Sequence, residues 1–434
     1  MIFIDGERSR RWVPFAKQKL AQLKGLGLLS KVLVVSGYRI KLLAIDDIEK
    51  IHITAPPYTS VGGGYGHALI SDPTGRLWAW GFNGKGQLGL GDTEDRTEPI
   101  RHAVAGAPWA MVARGRGASS AAIRKDGTLW VWGDNNGSTF SYPIPALNGT
   151  LGLGLGQPDA VLVPTQVGTE RTWAFVTAGA RTMYAVKTDG TLWAWGLNTG
   201  YLGLGAVMAL SVVSVPTQVG TDTDWRTVSA DVDGAMAIKA DGTLWAVGQN
   251  RFGALGLGDD VPRYAFTQVG AHTWRRVVVG FDSAIGIKSD GTLWACGNAP
   301  FYKTPGGLNG FVQIDGGEWA DVYGDEYVLL AVKSSGALWS AGYLCDVRLG
   351  RGPQTCPVGD ESGPLAEVGQ YATDGGIFAT QHAVIAVSAS AGQWLWGLAP
   401  GVSNLGNAVL TPQEQTTWLR LLLPATEPLR PPWI

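Results

Sequence analysis

The chain has 434 residues and a formal net charge of −2 at pH 7, from 34 Lys and Arg against 36 Asp and Glu. Charged residues make up only 16% of the sequence, and this balance offers no basic face of the kind that nucleic-acid binding requires. No apolar run reaches the roughly 18 residues of a membrane-spanning helix, and three cysteines are too few for a disulfide framework.

Residues 1–48 differ from the rest of the chain and are predicted to form a small α+β module. Pro14 suits the first turn of a short amphipathic helix, which Gly25 would end. Residues 31–35 and 39–45 alternate apolar and polar side chains on either side of a turn, which predicts a β-hairpin. The charged start of this segment does not resemble a signal peptide, so synthesis in a cytoplasm is expected.

The charge of this module separates it from the remaining chain. Residues 1–50 contain ten basic and five acidic side chains, whereas the rest of the chain has an acidic excess. Two interpretations remain open: the module braces the rest of the protein, or it docks the protein onto a larger assembly. In the docking interpretation the apolar contact would come from Trp12, Phe15, Leu20 and Leu23.

Residues 49–423 contain seven copies of a tryptophan-rich unit, spelled most fully from Asp189 to Gly196 as DGTLWAWG. The copies recur at a period near 50 residues, which is typical of a propeller or another closed repeat array. Asp-Gly favours a tight hairpin turn, and the apolar run after it predicts a short buried strand. The glycines that end the copies are Gly81, Gly133, Gly196, Gly248, Gly297, Gly342 and Gly397.

The first tryptophan of the unit is present in every copy. A residue that recurs unchanged in all repeats favours a structural role, so we predict that these side chains pack between neighbouring blades. The alternative is a stacking platform for sugars or bases. The seven residues are Trp78, Trp130, Trp193, Trp245, Trp294, Trp339 and Trp394.

The complete unit resembles a known family. Residues 163–167 read Val-Pro-Thr-Gln-Val, and they are followed by Trp-Ala-Phe-Val from Trp173, the DGTLWAWG run, and Leu-Gly-Leu-Gly from Leu202. This order is similar to that of the regulator of chromosome condensation repeat. The resemblance covers residues 49–423 and implies an all-β fold, a seven-bladed β-propeller of four-stranded blades. The spelling resembles that of prokaryotic or phage members of the family.

Closure of such a ring needs one strand from outside the regular order, because an open array would leave two sheet edges unpaired. We predict that residues 50–53 complete the seventh blade beside the strand of Trp394. The rival closure uses residues 416–423, which follow the last repeat directly. Residues 424–434 would then form a Pro-rich tail.

Three insertions fall between the third and fourth strands of their repeats, and these connections are predicted to share one face of the disc. Loops on a rigid scaffold often carry binding, and aromatic residues are enriched in interfaces, although neutral variation in a tolerant loop remains the alternative. The insertions span 134–150, 298–310 and 343–364. The third also holds Cys345 and Cys356, which are expected to be free thiols. The candidate binding residues are Phe140, Tyr142, Phe301, Tyr302, Arg348 and Arg351.

No catalytic residue, metal ligand or cofactor site is predicted. The aspartates of the Asp-Gly turns recur as turn residues, the five histidines are scattered, and residues 62–66 are glycine-rich but precede no helix that could hold a phosphate. The leading hypothesis is a non-enzymatic binding propeller of a phage tail or virion surface, whose partners are assembly subunits and a host-surface protein or glycan. The alternatives are a cytoplasmic regulator that resembles an exchange factor, and an enzyme that acts on polysaccharide.

Overall fold

The computed structural model describes most of the repeat region and the strands on either side of it. The described residues are 3–5, 31–36, 39–44, 60–64, 66–72, 74–135, 154–155, 160–205, 211–280, 282–299, 307–324, 328–343, 362–370, 377–379, 383–388, 392–397 and 419–421.

The N-terminal strands form a sheet of their own. Strand β1 (Phe3–Asp5) runs parallel to β2 (Lys31–Ser36), which pairs antiparallel with β3 (Arg39–Ala44). Ser36 lies opposite Arg39, so the predicted hairpin is confirmed. The predicted helix lies outside the described residues, as do the four docking candidates Trp12, Phe15, Leu20 and Leu23.

The first three blades follow one pattern, in which consecutive strands pair antiparallel to make a four-stranded sheet. Blade 1 consists of β4 (Ser60–Gly64), β5 (His67–Ser71), β6 (Leu77–Gly81) and β7 (Arg96–Arg101). Blade 2 consists of β8 (Trp109–Val112), β9 (Ser119–Arg124), β10 (Leu129–Gly133) and β11 (Val161–Gln166). Blade 3 consists of β12 (Trp173–Ala178), β13 (Thr182–Lys187), β14 (Leu192–Asn198) and β15 (Ser211–Gln218).

Blades 4 to 7 repeat the pattern, except that one long strand joins blades 4 and 5. Blade 4 consists of β16 (Trp225–Ala230), β17 (Gly234–Lys239), β18 (Thr243–Gly248) and the first half of β19 (Arg263–Val279). The second half of β19 opens blade 5, followed by β20 (Ser283–Lys288), β21 (Leu293–Gly297) and β22 (Leu308–Asp315). Blade 6 consists of β23 (Trp319–Gly324), β24 (Val328–Lys333), β25 (Ala337–Tyr343) and β26 (Ser362–Gln370). Blade 7 consists of β27 (Ile377–Ala379), β28 (Ala383–Ser388), β29 (Gly392–Gly397) and β30 (Leu419–Leu421).

The blades form a ring. The first strand of each blade contacts the first strand of the next, and β27 of the last blade contacts β4 of the first. Four antiparallel strands in each of seven sheets, arranged around their innermost strands, confirm the predicted seven-bladed β-propeller.

The last blade closes differently from the preferred prediction. Strand β29 pairs with β28 on one side and with β30 on the other, where Trp394 lies opposite Arg420. Both edges of β29 are therefore occupied, and the proposal that residues 50–53 pair with the strand of Trp394 is wrong. The rival closure by residues 416–423 is the observed one, because β30 (Leu419–Leu421) lies within that range.

Strand order gives the propeller two faces. Connections between first and second strands, and between third and fourth strands, lie on what we call the loop face. The Asp-Gly turns between second and third strands, and the connections between blades, lie on the turn face. The strands that flank the three insertions are β10 and β11, β21 and β22, and β25 and β26, which are third and fourth strands of their blades, as predicted. Most residues of the insertions lie outside the described part of the chain.

The second tryptophan of the repeat is the more deeply buried of the two and fills the space between blades. Trp195 is fully inaccessible to solvent and packs with residues of blades 2 and 3. Trp132 is equally buried, and its Nε1 donates a 2.8 Å hydrogen bond to the Gln87 carbonyl of the preceding blade. Where the tryptophan is replaced by Cys296, the thiol donates to the equivalent carbonyl, that of Ala254, at 3.3 Å.

The first tryptophan packs against the core between neighbouring blades, as predicted, and also contacts the innermost strand of its own blade. Trp193 is half-buried and meets Trp173, on the innermost strand of the same blade, edge to face at 5.9 Å between ring centroids. The equivalent residues of blades 2, 4, 5 and 6 are also half-buried, so these side chains brace the inner strand against the third strand. Those residues are Trp130, Trp245, Trp294 and Trp339.

The Asp-Gly-Thr-Leu-Trp spelling has a direct structural cause. Asp189 Oδ1 accepts hydrogen bonds from the backbone N–H and the hydroxyl of Thr191, at 3.0 and 2.7 Å. The same hydroxyl oxygen accepts a 2.8 Å bond from Trp193 Nε1. Gly190 between them has a φ of 79°, which other residues rarely adopt. The structural interpretation of these aspartates is confirmed, and the same network recurs at Asp126, Asp241 and Asp290.

Candidate functional site

The loop after the third strand of blade 4 is held by a rigid hydrogen-bonded frame. Asn250 Nδ2 donates to the carbonyl and the carboxylate of Asp259, at 2.8 and 3.0 Å, and Asn250 Oδ1 accepts from the N–H of Leu255 at 2.8 Å. Arg263 closes the loop with a 2.6 Å ion pair to Asp259. The exposed fraction of Asn250 is 0%. Its side chain therefore bonds to both ends of the loop without competition from water.

Blade 1 carries the same frame with a different tip. Asn83 bonds to Asp92 and to the N–H of Leu88 at 2.9 Å each, and Arg96 pairs with Asp92 at 2.6 Å. Between frame residues, blade 1 has Gly84-Lys85 where blade 4 has Arg251-Phe252. The frame is therefore structural, and the tip is the part that is free to differ.

The tip of the blade 4 loop holds an exposed aromatic side chain on an unfavourable backbone. Phe252 has a φ of 54° and a ψ of 20°, and it is the one non-glycine residue with positive φ in the described part of the chain. Its exposed fraction is 43%. A bulky side chain in this region of backbone space costs about 1–2 kcal/mol, and such strain concentrates at functional sites.

Two tyrosines lie on the same face beside this loop. The rings of Tyr201, from the blade 3 loop, and Tyr264, near the start of β19, stack at 5.6 Å with an interplanar angle of 11°. The loop that carries Tyr201 is anchored from below, because the hydroxyl of the buried Tyr184 donates to the Tyr201 carbonyl at 3.2 Å. The stacked pair is thus a preformed aromatic surface that is half-buried in the free protein.

Charged groups surround the tyrosine pair. Burial raises the pKa of the Asp233 carboxyl, while the positive charges of Arg251 and Arg181 act in the opposite direction. Burial also raises the pKa of Tyr201, and the nearby Tyr264 and Asp233 add to this effect. The raised pKa keeps the Tyr201 phenol neutral at neutral pH, close to the exposed Arg251. We call Tyr201, Asp233, Arg251, Phe252 and Tyr264 the Phe252 site.

The Phe252 site has the composition of a surface that binds another protein. Tyr, Phe and Arg are the residues that are enriched at the centres of protein interfaces. A rigid frame lowers the entropy lost on binding, because the loop does not have to order itself. Among the described residues no group of His, Cys, Asp and Glu has the geometry of a metal site, and no described helix is long and apolar enough to cross a membrane.

The candidate binding residues chosen from the sequence fall outside the described residues. They are Phe140, Tyr142, Phe301, Tyr302, Arg348 and Arg351.

The insertion that carries Phe301 and Tyr302 nevertheless meets the Phe252 site at its end. Gly307 lies so close to the Phe252 carbonyl that any side chain at this position would collide with it. The described end of this insertion, at Gly307, therefore adjoins the Phe252 loop.

Sequence reasoning missed the Phe252 site because it looked for inserted residues. The available signal was a substitution within an otherwise repeated loop: NGKGQLGLGDTEDR from Asn83 and NRFGALGLGDDVPR from Asn250 share their frame and differ at the tip. The stacking of Tyr201 on Tyr264 could not be predicted from the sequence. The two residues belong to connections of different blades, which only the folded propeller brings together.

Comparisons with known proteins agree with the fold and the repeat. Two sequence models of the regulator of chromosome condensation (RCC1) repeat match residues 74–122 and 58–87. The chain is 31% identical over 211 residues to the ultraviolet-B receptor UVR8 of Arabidopsis thaliana, a match that spans 48% of this chain and 44% of the receptor. It is 29% identical over 194 residues to the human regulator of chromosome condensation, covering 44% and 42%. The chain therefore matches less than half the length of either relative.

Solved structures support the same architecture. Human WBSCR16 superposes with a TM-score of 0.63 at 17% identity, over 80% of this chain and 94% of that one. Prp20p of Saccharomyces cerevisiae superposes with a TM-score of 0.59 at 20% identity, over 72% and 77%. Residues 58–122 thus match the RCC1-type repeat, and the chain shares the β-propeller fold of these structures.

Proposed function

We propose that this protein is a non-enzymatic, protein-binding propeller that acts as a regulator inside the cell and binds its partner protein through the Phe252 site. The observation that carries the proposal is the exposed Phe252 on a strained backbone, beside stacked tyrosines and an exposed arginine. Strain at a loop tip that contributes nothing to the core is best explained by a role in binding.

The relatives favour a protein as the partner. The structure of Prp20p is described together with its binding to Gsp1p and histones, and a second structure shows yeast RCC1 bound to Kap60. The mouse X-linked retinitis pigmentosa GTPase regulator is 39% identical over 113 residues, which are 26% of this chain and 10% of that protein. These names describe regulators, which favours the regulator hypothesis over the phage-tail hypothesis.

The N-terminal module has a separate role in this proposal. Its three strands pair with each other and with no blade strand, and the segment is basic whereas the propeller is acidic. A module of this kind suits docking onto a second protein, so that one end of the molecule anchors it and the loop face recognises the target.

The proposal is tested by comparing the proteins captured from a lysate of the source cells by three baits. The first is the unchanged chain, the second carries Arg251→Glu, and the third carries Arg171→Glu on the turn face. Arg171 is a matched control because its side chain is 71% exposed and its nearest carboxylate lies at 3.7 Å.

We expect a protein that binds the unchanged chain and the Arg171→Glu variant and is lost with Arg251→Glu. Capture of the same proteins by all three baits would contradict the proposal that the partner protein binds through the Phe252 site. Equal loss with both variants would point to a general effect of charge, which contradicts a localised interface.

A further inference from the structure

Five blades place a cation between two tryptophans on the turn face. The cation ends the second strand of its blade, one tryptophan comes from the innermost strand and the other from the third strand. In blade 3, Lys187 Nζ lies 4.8 Å from the ring centroid of Trp173 and 3.6 Å from that of Trp193. The equivalent cations are Arg124, Lys239, Lys288 and Lys333.

In blades 3 and 4 a carboxylate from the preceding connection completes this arrangement. Glu170 lies 2.7 Å from Lys187 Nζ. Asp222 and Asp224 lie 2.7 and 3.1 Å from Lys239 Nζ. These three carboxylate side chains are 48–52% exposed, so the position that they fill opens directly onto solvent.

Blade 5 retains the cation and both tryptophans and lacks the carboxylate. Lys288 Nζ lies 3.3 Å from the ring centroid of Trp294 and 5.4 Å from that of Trp274. The connection before Trp274 reads Gly-Ala-His-Thr, one residue shorter than in blades 3 and 4, and places His272 and Thr273 where those blades have acidic residues.

The Lys288 ammonium has no hydrogen-bond or ion-pair partner among the described residues, although the exposed fraction of Lys288 is only 4%. The nearest opposite charge is Asp290, whose Oδ1 is already bonded to the N–H and hydroxyl of Thr292. Burial lowers the pKa of Lys288 in spite of that charge. His272 and Thr273 are exposed, so the place of the missing carboxylate is accessible from outside.

We propose that Lys288, Trp274, Trp294 and His272 form a carboxylate-binding notch, which receives an acidic side chain of a partner protein. The internal repeats show which chemistry fits, because a carboxylate oxygen occupies the same place at 2.7 Å in blades 3 and 4. An ammonium ion held between aromatic faces and out of water pairs strongly with an anion that reaches it.

The occupant is a peptide segment that contains Asp or Glu. The mouth is flanked by the edge of the half-buried Trp294 and by the His272 ring, which lies 6.2 Å from it. These rings provide apolar contact for the methylene groups of an acidic side chain. The notch is on the turn face, so it is separate from the Phe252 site, and its failure would leave the proposed function intact.

The test measures binding of two peptides to the full-length chain by titration calorimetry. Both peptides are acetylated and amidated at their ends; one contains three consecutive glutamates and the other three glutamines. We expect the glutamate peptide to bind at least about tenfold more tightly, the factor that 1.4 kcal/mol corresponds to at 25 °C. A third peptide, with glutamines and a free C-terminal carboxylate, distinguishes a chain terminus from an acidic side chain as the source.

Two variants locate the binding. Lys288→Met removes the cation and should weaken binding of the glutamate peptide at least about tenfold. Thr273→Asp supplies a carboxylate at the position of Asp224, should fill the notch from within, and should abolish binding while the protein stays folded.

Equal binding of the glutamate and glutamine peptides, no binding of either, or unchanged binding by a folded Thr273→Asp variant would overturn the proposal. Tighter binding of the terminal carboxylate than of glutamate would overturn the assignment of the occupant. If Lys288→Met does not fold, Thr273→Asp alone decides between these outcomes.

Discussion

Trp193 Nε1 donates a 2.8 Å hydrogen bond to the hydroxyl of Thr191, two residues earlier in the chain. The bond ties the side chain that braces the inner strand to the turn that begins the third strand. Turn, strand and packing are therefore encoded in five consecutive residues, which explains why Asp-Gly-Thr-Leu-Trp recurs as a unit.

We expect Thr191→Val to destabilise the protein by about 1–3 kcal/mol, because valine keeps the shape and leaves Trp193 Nε1 and the turn without the shared hydroxyl. Chemical denaturation of the variant measures the free energy of unfolding. Thr169→Val is the matched control, since Thr169 is exposed and such changes usually stay within about 0.5 kcal/mol. Equal stability of the two variants would show that the hydroxyl network adds nothing.

The two tryptophans of the repeat should differ in their contribution to stability. Trp195→Ala removes a fully buried side chain between blades, and we expect a loss of about 3–5 kcal/mol. Trp193→Ala removes a half-buried side chain. We expect its loss of unfolding free energy to be smaller than that of Trp195→Ala by about 1 kcal/mol or more, because part of the Trp193 surface stays in water in the folded protein. Denaturation midpoints of both variants give the order, and a larger loss for Trp193→Ala would contradict the assignment of the second tryptophan to the space between blades.

His102 should make stability depend on pH. Burial lowers the pKa of His102 to about 4, whereas the unfolded chain has the ordinary value of about 6.5. Below pH 6.5 the unfolded state binds the proton and the folded state does not, so stability is lost as the pH falls towards 4.

The variant His102→Val should lose this dependence, since Val167, Val219 and Val269 occupy the same place in other blades. Between pH 7 and pH 4.5 we expect its unfolding free energy to fall by about 2–3 kcal/mol less than that of the unchanged protein. The carboxylates are common to both proteins and cancel in the comparison. An identical pH profile would mean that folding does not change the pKa of His102.

Deletion of residues 1–48 should leave the propeller folded, because the described strands of this segment, β1 to β3, pair with each other and with none of the described blade strands. We expect the truncated chain to keep the midpoint of thermal unfolding within the few degrees that 1 kcal/mol represents for a large domain. The docking role requires this result. A large fall in the midpoint, or failure to fold, would show that the N-terminal module braces the propeller.

Most of the fold could be predicted from the sequence because each repeat consists of short motifs whose structure is determined by neighbouring residues. The Asp-Gly turn, the buried third strand and the Pro-Thr-Gln-Val strand each have a local cause, and seven copies fix the number of blades. Blade closure could not be predicted, because residues 50–53 and residues 416–423 are equally compatible with an outer strand. The choice depends on which segment pairs with β29, and that is decided by the tertiary structure of the closed propeller and not by the local sequence.

The deeper burial of the second tryptophan could not be predicted from the repeat. The first recurs in every copy and the second is replaced by Val247, Cys296 and Ala341, so recurrence favoured the first as the side chain between blades. The structure shows that the contact between blades accepts different side chains, since Cys296 donates to the Ala254 carbonyl where Trp132 donates to that of Gln87. The first tryptophan bonds through its indole to the turn threonine in blades 2 to 5. In blade 1 the indole of Trp78 bonds to Asp72 instead.

Photo-cross-linking from position 252 tests the central claim, that the loop face binds a protein at the Phe252 site. Benzoyl-phenylalanine in place of Phe252 preserves an exposed aromatic side chain, and the same group in place of the exposed Thr169 on the turn face is the control. The account predicts that irradiation in source-cell lysate joins one protein to position 252 and that Arg251→Glu in the same chain removes this product. A product formed at position 169 and absent at position 252 would contradict the account.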